Sequence, residues 1–156
     1  ITADGELDYS DETLELFDYV GIGIHTRFNM NREEVTERIL SALDNPYVTF
    51  LAHPTCRLIG HRQGFDIDMD ALFHKAIKTD TFLEINSFPD RLDLNDINVK
   101  HAKEKGAKFI IGSDSHTIDH LTNIEYGIST ARRGWLEKED VLNTVSFHEL
   151  KKQLLG

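Results

Sequence analysis

Four short apolar runs in the sequence each end on side chains able to hold a metal ion or move a proton. GIGIHT ends in His25, FLAHP in His53, LEIN in Glu84 and Asn86, and IIGSDSH in Asp114 and His116. One histidine after a strand is most often a structural residue. Four such positions in a row point instead to one shared rim, because in parallel α/β folds the C-terminal strand ends lie together and collect ligands and catalytic groups. Imidazole combined with carboxylate suits Zn2+, Mn2+ or Fe2+ and disfavours Ca2+, which takes oxygen alone. The D-x-H of Asp114 and His116 sends both side chains the same way if its backbone stays extended. Cys56 is a lone loop cysteine and is left out of the ligand set. Ser87, Ser113 and Ser115 lie near the same rim, but no G-x-S-x-G elbow accompanies them. His61, His74, His101, His120 and His148 fall in a loop or on helices and read as surface or packing residues.

The elements that must position these groups follow from pattern. Asp18 to Ile24 reads as a buried strand, Val48 to Ala52 as a second, Phe82 to Ile85 as a third and Lys108 to Gly112 as a fourth. Between them lie helical stretches. Ser10 caps a short one, with Asp11 and Glu12 in its first turn. Asn31 and Glu34 make a capping box ahead of the stripe Val35, Ile39, Leu40 and Leu43, and Asn45-Pro46 ends it. Asp68 caps a helix carrying Met69, Leu72, Phe73, Ala76 and Ile77, and Gly106 stops one running from Ile97 to Lys105. A helix follows Thr117, a loop lies at 132–134, a short helix starts at Glu137, and Ser146 with Glu149 boxes the last. Strand and helix alternating in this way predict α/β architecture, either doubly wound or a barrel.

Composition limits what such a domain can do. The chain has 156 residues, one domain's worth, with 17 Lys and Arg against 27 Asp and Glu and a formal net charge of −10. It gains nothing from bulk attraction to phosphate backbones or anionic lipid. Any contact with nucleic acid must come from a local basic spot or a bound cation. A single cysteine excludes an internal disulfide and fits a reducing, cytoplasmic setting. No apolar run approaches the roughly 20 residues of a membrane span, so no membrane partner is expected.

The strings LAHPTCRLIG, LEINSFPDRLDL and IIGSDSH, followed by ARRGWLEKEDVLNT, together resemble the PHP (polymerase and histidinol phosphatase) domain, and most of all that of bacterial and archaeal family X DNA polymerases. The resemblance covers essentially the whole chain. It implies a distorted TIM-like barrel of seven βα units, a rim that binds up to three divalent metals (Mn2+ or Zn2+, with Fe2+ a further option), and hydrolysis of phosphoesters, including 3′-to-5′ exonuclease action in DNA repair. By motif, His25 and His53 match the family's two strand-end histidines, and Asp114 and His116 its terminal D-x-H. The metal set implied is therefore His25, His53, Asp114 and His116, with Asp114 and His116 closest to the chemistry. Arg57, Arg62 and Arg91 lie in rim-side loops and could grip phosphate in bidentate fashion, although a loop arginine is equally often a solubilising charge. Asn86 is a candidate substrate donor, and Glu84 either lines the rim or takes a structural ion pair.

The sequence also departs from the family pattern. No H-x-H occurs anywhere, and the family's bridging Glu would precede Ile1. Ile-Thr-Ala running into Asp-Gly reads as the end of a strand entering a turn. The expectation is the C-terminal portion of the barrel, its N-terminal units absent, weak or inactive alone, and packed against the missing segment or a second copy. The expected partners are a DNA 3′ end or small phosphoester as substrate and a polymerase domain of the same parent chain. A non-catalytic PHP domain, a free-standing small-molecule phosphatase and an unrelated amidohydrolase-like barrel are the alternatives; the last would carry a strand-end lysine, and none is found.

Overall fold

The computed structural model describes residues 1–155. Four strands, β1 (Val20–Ile22), β2 (Val48–Leu51), β3 (Phe82–Asn86) and β4 (Phe109–Gly112), form one parallel sheet in the order β1-β2-β3-β4. Helices α1 (Asp11–Leu14), α2 (Arg32–Ala42), α3 (Met69–Lys78), α4 (Asp96–Lys105), α5 (Ile124–Arg133) and α6 (Phe147–Leu155) accompany it. Each crossover steps one strand further in the same direction, and right-handed crossovers of that kind lay their helices on one face. Accordingly α2 packs on α3, α3 on α4 and α4 on α5. A doubly wound sheet would reverse direction; the observed order is compatible with an arc of a barrel.

The local signals act where the sequence places them. Asn31 Oδ1 accepts from Glu34 N at 2.9 Å while Glu34 Oε2 accepts from Asn31 N at 3.0 Å, closing the capping box of α2. Asp68 caps α3 through the backbone of Ala71. The helix expected from Ile97 begins one residue earlier, at Asp96, where Asn95 caps it through Asn98 N. Gly106 ends α4 at φ 96°, a left-handed C-cap. Ser146 and Glu149 box α6.

Leu51, Leu83 and Phe109 sit side by side in register and are fully or almost fully buried under the helices with Val35, Ile39, Leu72, Phe73 and Val99. The other face is different. Phe50, Phe82 and Ile110 are half-buried and Gly21 is exposed, so these strands are not uniformly covered as their apolar runs suggest. The helical row covers only one side, and the second face carries Glu84 instead. β1 is also shorter than expected, because its register shifts between Val20 and Gly21 and Val20 N turns to Thr49 Oγ1. After Thr117 the chain runs first as a 3-10 turn, Ile118–Asn123, before α5. None of that turn is buried, so no packing draws it into the α-helix. The outer edge of β4 is closed by Asn143, whose amide pairs with both the N–H and the C=O of Ile111.

Candidate functional site

The C-terminal ends of the strands meet in a cluster of polar side chains with unusual backbone. His53 (φ 31°), Cys56 (φ 56°), Leu92 (φ 45°) and Asp114 (φ 51°) all lie in the left-handed region, which costs a non-glycine residue of order 1–3 kcal/mol and persists where surrounding structure enforces it. At His53 the enforcing group is Glu84. Its Oε2 accepts from His53 N at 2.6 Å and from Asn86 Nδ2 at 3.3 Å, so the strand-three carboxylate fixes the backbone of the strand-two histidine. Glu84 has room because its neighbour on β4 is Gly112; a Cβ there would collide with Glu84 Oε1. Gly23 does the same for the imidazoles, since a Cβ would stand 2.9 Å from His53 Cε1 and 3.3 Å from His25 Cε1.

Burial sets the charge state of this cluster. It pushes the Glu84 carboxyl up to about 7 and the Asp93 carboxyl up to about 6. It pushes His53 down to about 4, with help from the positive charge of Arg91 and from His25. His53 is therefore a neutral imidazole at neutral pH, the form that binds metal or accepts a proton. Cys56 is buried with Sγ 3.3 Å from Ile24 O and 3.6 Å from His53 Nδ1, and desolvation raises its thiol to about 12. Burial thus holds it as a neutral thiol.

The structure brings some expected residues together and turns others away. His25 and His53 stand edge to face with ring centroids 5.1 Å apart. Asp114 and Arg91 lie close enough to His53 to act on its ionisation, and they pair with each other at 3.3 Å. The left-handed backbone at Asp114 overturns the expectation of an extended D-x-H. Asp114 and His116 consequently diverge: the aspartate meets Arg91, and His116 Nδ1 turns back onto Asp114 O at 2.7 Å. Among the described residues no three His, Cys, Asp or Glu side chains stand close enough to hold one metal ion. The donor types fit a divalent cation in part, as a neighbouring pair of imidazoles, one of them neutral by burial.

The three loop arginines separate by what they touch. Arg57 donates Nε to Arg91 O at 2.6 Å and Nη2 to Leu92 O, bracing the loop between β3 and α4. Arg62 donates to Cys56 O through Nε and Nη2, with its guanidinium 3.8 Å from the centre of the Phe28 ring. Arg91 directs its charge at His53 and Asp114. Asn86 is buried, its amide committed to Glu84 and its Oδ1 accepting from Phe88 N at 3.0 Å.

Two features escaped the sequence reading. Asp93 is fully buried and accepts from Thr55 N and Thr55 Oγ1, both at 2.9 Å, locking the loop after His53 to the loop after β3. Nothing in an acidic loop residue announces such burial. His120, read as a surface or packing residue, packs at the rim: its ring centroid lies 5.2 Å from that of Phe88 and 6.3 Å from that of His116, and its Nδ1 accepts from His116 N at 3.3 Å. The spacing of four residues from His116 was the available signal.

No family model matches the chain. Among curated proteins, the DNA polymerase/3'-5' exonuclease PolX of Bacillus subtilis is 42% identical over 151 residues, which span 97% of this chain and 26% of that protein. A probable phosphatase of Acetivibrio thermocellus is 33% identical over 72% of this chain and 47% of its own length. One from Thermoanaerobacter sp. (strain X514) is 27% identical over 90% of the chain and 59% of its length. The chain thus spans about a quarter of the first relative and about half of the other two, and along nearly all of its own length it is similar to part of a polymerase that is also a 3'-5' exonuclease.

Proposed function

We propose that this chain is a phosphoester hydrolase unit, acting on the 3′ end of DNA within a protein that also carries a polymerase domain. The observation that carries the reading is the 42% identity to the Bacillus subtilis exonuclease along 97% of the chain, coincident with a strand-end cluster of His25, His53, Asp114 and Arg91. The similarity to proteins named probable phosphatases favours a second reading, a small-molecule phosphatase, with the same reaction on a smaller substrate.

The residues divide the work by chemistry. Of Arg57, Arg62 and Arg91, Arg91 is the one not bonded to backbone carbonyls, and it offers a phosphate two donors in a local positive spot on an acidic chain. Asp114, held at 3.3 Å from Arg91, keeps that guanidinium aimed at the rim until a phosphate competes for it. His53 stays neutral, with its imidazole open to a metal, and Glu84 holds its backbone in place. Metal dependence belongs to the proposal: His25 and His53 would hold a divalent ion such as Mn2+ or Zn2+ from one side, and a bound ion of this kind activates water and neutralises phosphoryl charge.

The test is release of 3′-terminal nucleotides from end-labelled DNA, and of phosphate from small phosphomonoesters, by the full-length protein that contains this chain, incubated with Mn2+, and by its Asp114→Asn variant. Nucleotide release that falls at least a hundredfold in the variant, with unchanged circular dichroism, supports the reading. Release of phosphate from small esters alone selects the phosphatase, and absence of both activities refutes the hydrolase.

A further inference from the structure

The rim carries an apolar and aromatic lip that a phosphate and a cation alone do not require. Phe88, His116 and His120 form a triangle of rings with centroid separations of 5.2, 6.3 and 6.3 Å, each pair steeply inclined. Beside His120, the 3-10 turn exposes two large aliphatic side chains, Ile118 and Leu121, at 84% and 59%. The lip is built into the charged cluster. Arg91 N donates to Phe88 O at 2.8 Å, so the turn that presents the Phe88 ring also presents the guanidinium that meets Asp114. The opposite wall comes from the segment that starts at Asp114. His120 Nδ1 accepts from His116 N at 3.3 Å, which fixes the ring against the segment that starts at Asp114.

We propose that Phe88 and His120, flanked by Ile118 and Leu121, form a stacking subsite for the nucleobase joined to the scissile phosphate. This deepens the phosphoesterase reading and rests on it. An aromatic ring face beside a single guanidinium matches a nucleotide, an apolar ring on one side and an anion on the other. It also suits a chain of net charge −10. Such a chain attracts no DNA through its overall field, so affinity must come from contacts that charge does not govern, and base stacking on aromatic side chains is one. A small aliphatic phosphoester would leave the lip without a partner.

The experiment uses an oligonucleotide whose 3′-terminal base is 2-aminopurine, titrated in EDTA against the protein, and the same oligonucleotide ending in an abasic residue. Stacking quenches 2-aminopurine, and the base-bearing end should bind about tenfold more tightly than the abasic end, the scale of one stacked base. In Phe88→Leu, which keeps a large apolar side chain, and in His120→Gln, that ratio should collapse towards one. A ratio near one in the parent protein, or a tenfold ratio surviving in both variants, overturns the subsite. Hydrolysis of p-nitrophenyl phosphate with Mn2+ is measured in parallel. Its presence alongside a ratio of one counts against the stacking subsite alone, and its absence together with failure of both oligonucleotides to bind counts against the phosphoesterase reading itself.

Discussion

Replacing Glu84 by glutamine should make the protein more stable relative to the parent as pH rises, an unusual sign for loss of a carboxylate. Glu84 is 7% exposed, and burial raises its carboxyl from the ordinary 4.5 to about 7. The folded state therefore binds this proton more tightly than the unfolded chain. A group of that kind contributes its full share of stability below about 4.5 and loses it as pH rises through about 7. The loss corresponds to about 3 kcal/mol at 1.36 kcal/mol for each pH unit between the two values. Glutamine keeps the acceptor for His53 N and never ionises. The two proteins should therefore diverge by about 3 kcal/mol between pH 4.5 and 7 and run parallel outside that window. The difference must be used rather than the parent curve alone. His53, whose neutral form burial favours down to about 4, works in the opposite sense between about 4 and 6.5, and Asp93 adds its own fall up to about 6. Urea unfolding in EDTA at a series of pH values measures the difference directly. A flat difference, or one in which the parent gains on the variant as pH rises, would refute a buried and uncompensated Glu84.

The arginines give a contrast in kind. Arg57→Ala removes two charge-assisted bonds to backbone carbonyls and should cost about 3 kcal/mol of stability in thermal or urea unfolding, whereas Arg91→Ala, whose partner is partly exposed, should cost about 1 kcal/mol or less and instead raise KM for a phosphoester. Equal effects on stability would mean that Arg91 is also a brace. His53→Ala should abolish calorimetric binding of Mn2+ or Zn2+ by the chain, which even in the parent should be weak because only two imidazoles converge.

Much of the scaffold was legible because it is written in local chemistry. The boxes at Asn31 and Ser146, the cap at Asp68 and the stop at Gly106 act over three or four residues, and each determines its element without reference to the rest of the chain. The strand-end positions of His25, His53 and Asp114 were legible for the same reason, since a strand boundary is a local event. What the side chains do there was not. Asp114 leaves the extended region and turns to Arg91, a partner 23 positions away along the chain that no spacing rule connects to it. Arg57, Arg62 and Arg91 look alike in sequence, yet two of them end on carbonyls brought near by the fold. Asp93 and Thr55 find each other across 38 residues.

The costs also fall unevenly over the molecule, and their distribution bears on function. Under the helices the sheet is packed with Leu51, Leu83 and Phe109, and no charged group intrudes between them. At the C-terminal end of the same strands stand two buried carboxylates that resist ionisation and a histidine that resists protonation, amid four non-glycine residues with left-handed backbone. Each of these features opposes folding, and none is needed to hold a parallel sheet together. An apolar residue at position 84 would relieve the first of them, but it would leave the N–H of His53 buried without its acceptor. The carboxylate is thus tied to the histidine, and the histidine to the rim. Costs gathered at one end of the sheet are what the proposed phosphoester site would impose on it.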